Sequence, residues 1–372
     1  MKVTRHSVIF TAKEKAELVT QDIDVELTGD SVLLKLIYDI ISTGTELANY
    51  RDLPNTSPYQ DMQGRFPKVV GYSFTAEVIA CGPEVRELKI GDKVIVGWGG
   101  HHSVQVKSEK CLLKVPDGVD LKEAAITHIS SFPMLGVRKL RLDLGESCMV
   151  AGLGLLGLFA VQFAKLSGAY PVLACDFSEE RRNLALQLGA DYALDPREPD
   201  FIQKVRDLTD GRGPAATVEV TGFLDGLQQA LEYTAFMGRI SLLGCTRISD
   251  EPINVYKYIH AKGINLIGAH TMTRPATNSS QGMWTEKDDY KTFLKLLMAN
   301  KVNVKPMLNR IVRRMRQKFI TCCIPKRIRR WVWFLTGSSW DDDSQKRIGL
   351  KKYPGNIASA LKPRIFFVLE II

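Results

Sequence analysis

The hydrophobic pattern of the chain changes near residue 121. Before that point, short apolar runs of strand length include VLLKLIYDII (32–41), VVGYSFTAEVIACG (69–82) and DKVIVGW (92–98), and Gly, Pro and Asp residues break them. Short β-rich runs separated by turn-forming residues are typical of an all-β module. The first third of the chain is therefore predicted to consist mainly of β-strands.

After residue 121, strand patterns alternate with helical patterns. The strand ESCMVAG (146–152) leads into the helix LLGLFAVQFAKLSG (155–168), and similar pairs repeat as far as the strand NLIGAH (265–270). Alternation at these lengths indicates βαβ units and a parallel, doubly wound sheet. We therefore predict an α/β protein, in which EKDDYKTFLKLLMANK (286–301) adds an amphipathic helix.

Length and cysteine usage are those expected of a cytoplasmic two-domain protein. The 372 residues are enough for two domains with sizeable cores. Seven cysteines are scattered, apart from the pair Cys322–Cys323, and form no C-x-x-C motif, which favours reduced thiols. No apolar stretch of about 18 residues suggests a membrane span, so we expect no membrane partner.

The positive charge of the chain is concentrated in residues 311–372, which we call the basic tail. The whole chain has a formal net charge of +9, whereas the tail alone carries +10 and also holds three of the five tryptophans. Clustered Arg and Lys with Trp is one pattern of nucleic-acid or membrane-surface binding. We favour a different interpretation, that the tail is a frameshift or read-through product, and we expect no nucleic-acid partner.

A glycine-rich motif, GLGLLG (152–157), lies between a predicted strand and a predicted helix. In that context a G-x-G-x-x-G motif indicates dinucleotide binding. The first glycine permits the tight turn, the second lets the backbone approach a pyrophosphate, and the third allows close helix–strand packing. The helix N-terminus then offers N–H groups to the phosphates. The candidate binding residues in this motif are Gly152, Gly154, Leu155, Leu156 and Gly157.

Asp176 ends the next predicted strand, 19 residues after Gly157. A carboxylate at this position accepts the ribose hydroxyls of NAD and repels the 2′-phosphate of NADP. Arg181 and Arg182 follow closely and leave some tolerance for NADP. The sequence therefore favours NAD over NADP, and Arg181 joins the candidate cofactor-binding residues.

The motifs ISTGTE (41–46), GYSFTAEV (71–78), GDKVIV (91–96) and GLGLLG (152–157) occur in this order. With this set the chain resembles the medium-chain dehydrogenase/reductase superfamily over roughly residues 1–310. The resemblance implies a GroES-like β-barrel catalytic domain over residues 1–125, to which residues 271–310 return. It also implies a Rossmann domain over residues 126–270, a cleft between the two domains, and a homodimer or homotetramer. The basic tail stands where the family closes its catalytic domain.

The zinc ligands of alcohol dehydrogenases in this family are replaced in this chain. Thr43 stands at the cysteine of the family phrase C-G-T-D, and Tyr72 and Ser73 replace the histidine and glutamate of G-H-E-F. The third ligand falls near Thr127 or His128. A neutral hydroxyl is a poor zinc ligand beside thiolate, imidazole or carboxylate. We therefore expect no metal and a zinc-independent branch of the family.

Hydride transfer without zinc still needs a group that orients the substrate oxygen and exchanges a proton. Thr45 stands at the family's proton-relay hydroxyl. Tyr72 is a candidate acid–base group or, equally, a half-buried strand aromatic. Three imidazoles are further candidates: His101 in the loop GWGGHH (97–102), His128, and His270 at a strand end.

The resemblance also places Thr221, Gly222 and Gly244, at the ends of successive Rossmann strands, beside the nicotinamide half of the cofactor, with plain turns as the alternative. The residues together favour a zinc-independent oxidoreductase that transfers a hydride between NAD(H) and an alcohol or carbonyl of a small molecule. Its polar groups suggest a polyol or sugar derivative. The alternatives are an NADPH-dependent enone or quinone reductase, against which Asp176 counts, and an inactive family member with a defective C-terminus.

Overall fold

Two β-sheets form the amino-terminal part of the molecule. The computed structural model describes residues 1–57, 62–248, 252–280, 282–308 and 367–370. The strands of this part are β1 (Lys2–Ala12), β2 (Lys15–Asp24), β3 (Ser31–Ile41), β4 (Lys68–Val69), β5 (Ser73–Cys81), β6 (Lys93–Gly97), β7 (Val104–Ser108) and β8 (Leu112–Lys114). Helix α1 (Thr43–Tyr50) lies between β3 and β4.

The larger of these two sheets encloses an apolar core. Its strands run in the order β3-β5-β6-β8, β7 pairs with the first half of β3, and the smaller sheet has the order β2-β1-β4. Alternate residues of β3, Val32, Leu34 and Leu36, share one buried cluster with Phe74 of β5 and Val94 of β6. Because alternation places every second side chain on one face of a strand, the predicted β-module is confirmed.

A parallel sheet with flanking helices follows. Its strands are β9 (Cys148–Ala151), β10 (Val172–Cys175), β11 (Tyr192–Leu194), β12 (Ala216–Glu219), β13 (Arg239–Leu242) and β14 (Asn265–Gly268). The helices are α2 (Leu121–Ala124), α3 (Thr127–Leu140), α4 (Leu155–Leu166), α5 (Glu179–Gln187), α6 (Phe201–Asp207), α7 (Leu224–Tyr233) and α8 (Glu286–Met298), with a π-helical turn over Tyr256–Ala261. All strand pairs are parallel, in the order β11-β10-β9-β12-β13-β14, which confirms the doubly wound sheet.

Helices cover both faces of the parallel sheet. On one face, Phe159 of α4 meets Phe293 of α8 with 5.7 Å between ring centroids. On the other face, Phe201 of α6 meets Tyr233 of α7 at 5.9 Å. The central strands β9, β10 and β12 are buried along their whole length. Their carboxyl ends meet at one edge, which is where open α/β sheets bind ligands.

Helix α8 is held against α3 by buried charges. Thr285 caps its amino terminus by accepting a hydrogen bond from the Asp288 N–H. Asp289 is fully buried and pairs with Arg138 of α3 at 3.1 Å and with Arg274 at 3.4 Å. The predicted amphipathic helix is thus confirmed, although it ends at Met298 rather than at residue 301, and its first turn is fixed beside α3.

A strand from the basic tail adds to the larger amino-terminal sheet. β15 (Phe367–Glu370) pairs antiparallel with the second half of β3, from Phe367 opposite Ile41 to Glu370 opposite Tyr38. Apart from this strand, the predicted atypical tail lies outside the described residues, and the domain limits stay predictions. In the described ranges, every helix is too short or too polar to cross a lipid bilayer.

Candidate active site

The glycine motif forms the turn between β9 and α4. Gly152 has φ +94°, a conformation that residues with a Cβ rarely adopt. A Cβ on Gly157 would overlap the carbonyl oxygen of Gly152, so glycine alone lets α4 start this close to the strand. Gly154 is the N-cap and provides no side-chain cap for the N–H groups of Leu155 and Leu156. The turn therefore fits a phosphate at the start of α4.

Asp176 lies beside this turn, at the end of β10. Its Oδ2 accepts a hydrogen bond from the Leu153 N–H at 2.9 Å, and its Oδ1 accepts one from the Ser178 N–H at 2.8 Å. Arg181 pairs with Oδ2 at 3.2 Å, and Arg182 donates to the Asp176 carbonyl oxygen at 2.7 Å. The predicted carboxylate and its basic neighbours are thus together at the glycine turn.

The turns after β12 and β13 touch each other at the same sheet edge. A Cβ on Gly244 would lie 2.7 Å from the backbone nitrogen of Gly222, and one on Gly152 would lie 3.1 Å from that of Thr221. The Thr221 N–H donates to Oε1 of Glu219 at 2.7 Å, and the Thr221 hydroxyl contacts the same oxygen. Burial raises the pKa of Glu219 to about 7. The structure therefore brings Thr221, Gly222 and Gly244 next to the glycine motif.

Three hydroxyl groups meet at the start of α1. The Tyr72 hydroxyl lies within reach of hydrogen bonds with the Ser42 and Thr45 side chains. Burial raises the pKa of Tyr72, and these hydrogen bonds oppose the rise, so the phenol stays protonated at neutral pH. The Cys245 thiol, which follows the turn residue Gly244, is near enough to contribute to the raised pKa. Thr45 and Tyr72 therefore lie together, close to the carboxyl edge of the parallel sheet.

Aromatic rings pack around Tyr72. Its ring centroid lies 5.5 Å from that of Trp98, 5.6 Å from that of His128 and 5.8 Å from that of Phe132. The Trp98 and Phe132 centroids lie 4.8 and 5.0 Å from that of His128. We call these four rings the aromatic cluster. Trp98 has φ +58° and is 47% exposed, whereas its three partners are buried, so it separates the cluster from solvent.

His128 is the predicted histidine that belongs to this cluster. Its Nδ1 contacts the Tyr290 hydroxyl and lies 3.6 Å from Oε1 of Glu286. Burial, assisted by the positive charges of Arg274 and Lys107, lowers the pKa of His128 to about 3, so the imidazole is neutral at physiological pH. Its Nε2 has no hydrogen-bond partner among the described residues.

His101 does not lie in the aromatic cluster but between two buried carboxylates. Its Nδ1 is 2.5 Å from Oδ2 of Asp39, and its Nε2 is 2.8 Å from Oε2 of Glu46. Burial alone would lower the pKa of His101, but the two carboxylates raise it well above the usual value. Both ring nitrogens are therefore occupied. The neighbouring His102 faces away, with its Nδ1 2.8 Å from the Ser7 hydroxyl.

His270 lies in an exposed turn after β14. Its Nδ1 accepts a hydrogen bond from the Met272 N–H at 3.3 Å, and its carbonyl oxygen accepts one from the Thr273 hydroxyl at 2.7 Å. Burial and Arg247 lower its pKa. The structure thus places His270 at the predicted sheet edge, where its own turn supplies its hydrogen bonds.

Two site residues were missed in the sequence. Glu286 and Tyr290 stand four residues apart on α8, so they share one face of the helix. That face also carries Phe293, Leu294 and Leu297, all of them buried. A carboxylate and a phenol on an otherwise apolar helix face are a signal that could have identified them.

Two family models match the chain over most of its described length. The model for the alcohol dehydrogenase GroES-like domain matches residues 41–125, and that for the zinc-binding dehydrogenase matches residues 156–295. The chain is 26% identical over 327 residues to the D-guloside 3-dehydrogenase of Escherichia coli (strain K12), an alignment covering 82% of this chain and 91% of the relative. It is 29% identical over 334 residues to the L-threonine 3-dehydrogenase of Pyrococcus furiosus, covering 79% and 87%.

Solved structures share the fold. Benzyl alcohol dehydrogenase from Acinetobacter calcoaceticus superposes with a TM-score of 0.69 at 20% identity, over 82% of this chain and 91% of that chain. A zinc-binding dehydrogenase from Sinorhizobium meliloti 1021, solved with NADP, gives 0.67 at 16% identity, over 82% and 91%. The β-module joined to a Rossmann-like sheet with a glycine turn is the architecture that this chain shares with these dehydrogenase structures. The chain belongs to the medium-chain dehydrogenase/reductase superfamily and is an alcohol oxidoreductase.

Proposed function

We propose that the protein oxidises a secondary alcohol of a polyol or sugar derivative with NAD, reversibly and without a catalytic zinc ion. The observation that carries this proposal is the hydroxyl cluster of Tyr72, Ser42 and Thr45 beside the sheet edge that holds the glycine turn. Neutral hydroxyl groups donate and accept hydrogen bonds. In this position they orient a substrate oxygen next to the cofactor.

The donor groups at the family's zinc positions argue against a zinc ion. Thr43 and Tyr72 offer only neutral hydroxyl oxygens, and the pKa of Tyr72 is raised rather than lowered. Ser73 donates its hydroxyl to the Ala125 carbonyl oxygen at 2.7 Å and so serves the packing of β5 on the end of α2. Within the described ranges, no three His, Cys, Asp or Glu side chains converge to hold a metal. This donor set does not fit the nitrogen and sulfur ligands that zinc prefers.

The cofactor fits the residues at the sheet edge. The N–H groups at the start of α4 would hold the pyrophosphate, Asp176 would bind the ribose hydroxyls, and the turns at Thr221–Gly222 and Gly244 would line the nicotinamide half. When bound, the nicotinamide supplies the hydride acceptor. The protein itself then has to orient the alcohol and remove one proton, for which Thr45 and Tyr72 are the proposed orienting groups.

The names of the relatives support an alcohol substrate with several polar groups. They include D-guloside 3-dehydrogenase, L-threonine 3-dehydrogenase and (R,R)-butanediol dehydrogenase, and one solved structure with a TM-score of 0.68 is galactitol-1-phosphate dehydrogenase. A predicted cytoplasmic location and a homodimer or homotetramer accompany this proposal. The alternative to polyol oxidation is the reduction of enones or quinones with NADPH.

Titration of the full chain with NADH and with NADPH tests the cofactor part of this proposal. Saturable binding with NADH preferred supports it. In Asp176→Ser the preference should shift toward NADPH by about tenfold or more, because the carboxylate no longer repels the 2′-phosphate. Asp195→Ser is the matched control, since Asp195 pairs with Arg182 and Arg197 rather than with the glycine turn. Preference of the unaltered protein for NADPH would contradict the proposal.

A substrate panel and metal removal test the chemistry. The panel contains a D-guloside, (R,R)-butanediol, L-threonine, galactitol 1-phosphate and a simple enone. We expect NAD reduction with a polyol, and unchanged turnover after dialysis against a strong chelator. Loss of turnover that added Zn²⁺ restores would contradict zinc independence. Turnover of the enone alone would favour the enone-reductase hypothesis over polyol oxidation.

A further inference from the structure

Behind the aromatic cluster, a row of three polar side chains runs from its buried interior toward solvent. His128 contacts the Tyr290 hydroxyl through Nδ1, and Glu286 lies next to both, with its Oε1 3.6 Å from that Nδ1 and its carboxylate within reach of the Tyr290 hydroxyl. The His128 side chain is completely buried, whereas that of Glu286 is 31% exposed. None of these three residues is one of the proposed orienting groups, Thr45 and Tyr72.

The partners of Glu286 fix the direction of the hydrogen bonds in this row. Burial raises the pKa of Glu286, but Arg274 and the hydrogen bonds with Tyr290 and the Trp98 side chain lower it. The indole N–H can only donate, so Glu286 accepts from Trp98. As a carboxylate Glu286 can only accept, so the Tyr290 hydroxyl donates to it and the phenol oxygen accepts a hydrogen bond from the Nδ1–H of His128. A neutral imidazole protonated on Nδ1 has a lone pair on Nε2.

The Nε2 atom that carries this lone pair is buried among apolar rings. Nε2 of His128 has no partner within the part of the chain that the structure describes, and the rings of Tyr72, Trp98 and Phe132 surround it. An unsatisfied buried polar atom is costly and calls for an explanation. A hydroxyl group of a bound substrate would satisfy it, with the aromatic faces against the carbon skeleton.

We propose that Nε2 of His128 accepts the proton of the substrate hydroxyl and that Tyr290 and Glu286 carry that proton to solvent. This inference rests on the proposed alcohol oxidation. As the carbinol C–H bond breaks, its electron pair leaves with the hydrogen as hydride to the oxidised nicotinamide, and the C–O bond becomes C=O. The hydroxyl proton moves to Nε2, the Nδ1 proton moves to the Tyr290 oxygen, and the Tyr290 proton moves to the Glu286 carboxylate. The imidazole stays neutral before and after the transfer.

The glycine at the end of β6 is consistent with this contact. A Cβ on Gly97 would lie 2.6 Å from the Tyr290 hydroxyl and 2.8 Å from Nδ1 of His128. Any other residue at this position would press on the pair. The loop that carries Trp98 therefore begins with a residue that leaves the His128–Tyr290 contact undisturbed.

The first test measures the resting state and does not require turnover. The ¹⁵N NMR spectrum of histidine-labelled protein reports which ring nitrogen carries the proton, and the His128→Gln variant assigns the signal among the six histidines. We expect an Nδ1–H tautomer, and an upfield shift of the Nε2 resonance when (R,R)-butanediol or a D-guloside is added. An Nε2–H tautomer, or an Nε2 resonance that no alcohol of the panel shifts, overturns the inference.

The second test uses turnover. With a substrate from the panel, His128→Ala should lower kcat by about 100-fold or more, the usual range for loss of an acid–base group, and imidazole in the buffer should restore part of it. Tyr290→Phe and Glu286→Gln act through His128, so they should lower kcat with little change in KM and should reduce the solvent deuterium isotope effect. His102→Gln is the control for loss of a buried histidine and should leave kcat unchanged.

The two levels of the proposal fail separately. If no member of the panel is turned over, the proposed function fails, while the tautomer and the alcohol-dependent Nε2 shift still decide whether His128 is a proton acceptor for an alcohol. If the panel yields a substrate but His128→Ala keeps near-normal kcat, the function stands and the proton path is wrong. Imidazole rescue separates a chemical role of His128 from a packing role, because free imidazole does not repair a misfolded core.

Discussion

At the scale of single residues, two adjacent histidines should respond to pH in opposite ways. His101 lies between Asp39 and Glu46, which raise its pKa well above 6.5, whereas burial together with Arg5 and other cations lowers the pKa of His102 to about 4. The folded protein thus keeps a proton on His101 that the unfolded chain loses above pH 6.5. Between pH 4 and 6.5, His102 is protonated in the unfolded chain but neutral in the folded protein.

The sign follows from proton linkage. The contribution of His101 is complete below pH 6.5 and is lost as the pH rises above that value, by at most about 1.4 kcal/mol per pH unit for one proton. Urea unfolding between pH 6.5 and 8.5 should therefore show a flatter pH dependence in His101→Gln than in the unaltered protein. His102→Gln should change the slope only between pH 4 and 6.5. Equal slopes for the unaltered protein and His101→Gln above pH 6.5 would show that His101 is neutral in the fold.

At the scale of elements, the glycine turn allows packing to be separated from cofactor binding. A Cβ on Gly157 would overlap the Gly152 carbonyl oxygen, whereas one on Gly154 would meet no atom within 4 Å. Gly157→Ala should therefore lower the free energy of unfolding by about 1–3 kcal/mol, the usual cost of overpacking. Gly154→Ala should have a free energy of unfolding within about 1 kcal/mol of that of the unaltered protein. It should bind NADH at least tenfold more weakly, because a Cβ at the second glycine of the motif would keep the backbone away from the proposed pyrophosphate.

Chemical denaturation and NADH fluorescence titration of the two variants check this prediction. If both variants had a lower free energy of unfolding and an equal loss of NADH binding, the turn would act only in packing. Normal NADH binding by Gly154→Ala would show that the pyrophosphate does not bind at this turn.

The same elements show how far a sequence leads. The glycine turn, Asp176 and the alternation of strands and helices were predictable, because each depends on local spacing and backbone conformation. The environment of His101 was not, since Asp39 lies 62 residues away and reaches it only when β3 and the glycine-rich loop come together. The His128–Tyr290 contact joins residues 162 apart on two helices. Long-range pairs of polar side chains leave no periodic signal that one sequence can reveal.

At the scale of the whole molecule, the end of the basic tail takes part in the fold that begins at residue 1. β15 covers the second half of β3, the segment that ends just before Ser42 and Thr45 of the hydroxyl cluster. The frameshift hypothesis implies a tail without a designed structural role, whereas β15 implies that residues 367–370 stabilise the larger amino-terminal sheet. The two views differ in what removal of this strand should do.

Deletion of residues 367–372 should lower the free energy of unfolding by about 2 kcal/mol, because a four-residue ladder contributes several backbone hydrogen bonds of about 0.5–1.5 kcal/mol each. It should also expose the edge of β3 and so promote aggregation.

Binding of NADH should persist, since the glycine turn and Asp176 lie on the parallel sheet, but turnover should fall because β3 leads directly into the helix that carries Thr45. Replacement of residues 367–372 by a Gly-Ser sequence of equal length controls for chain length. Unchanged stability and turnover in both variants would favour the frameshift hypothesis and assign the working fold to the first 308 residues.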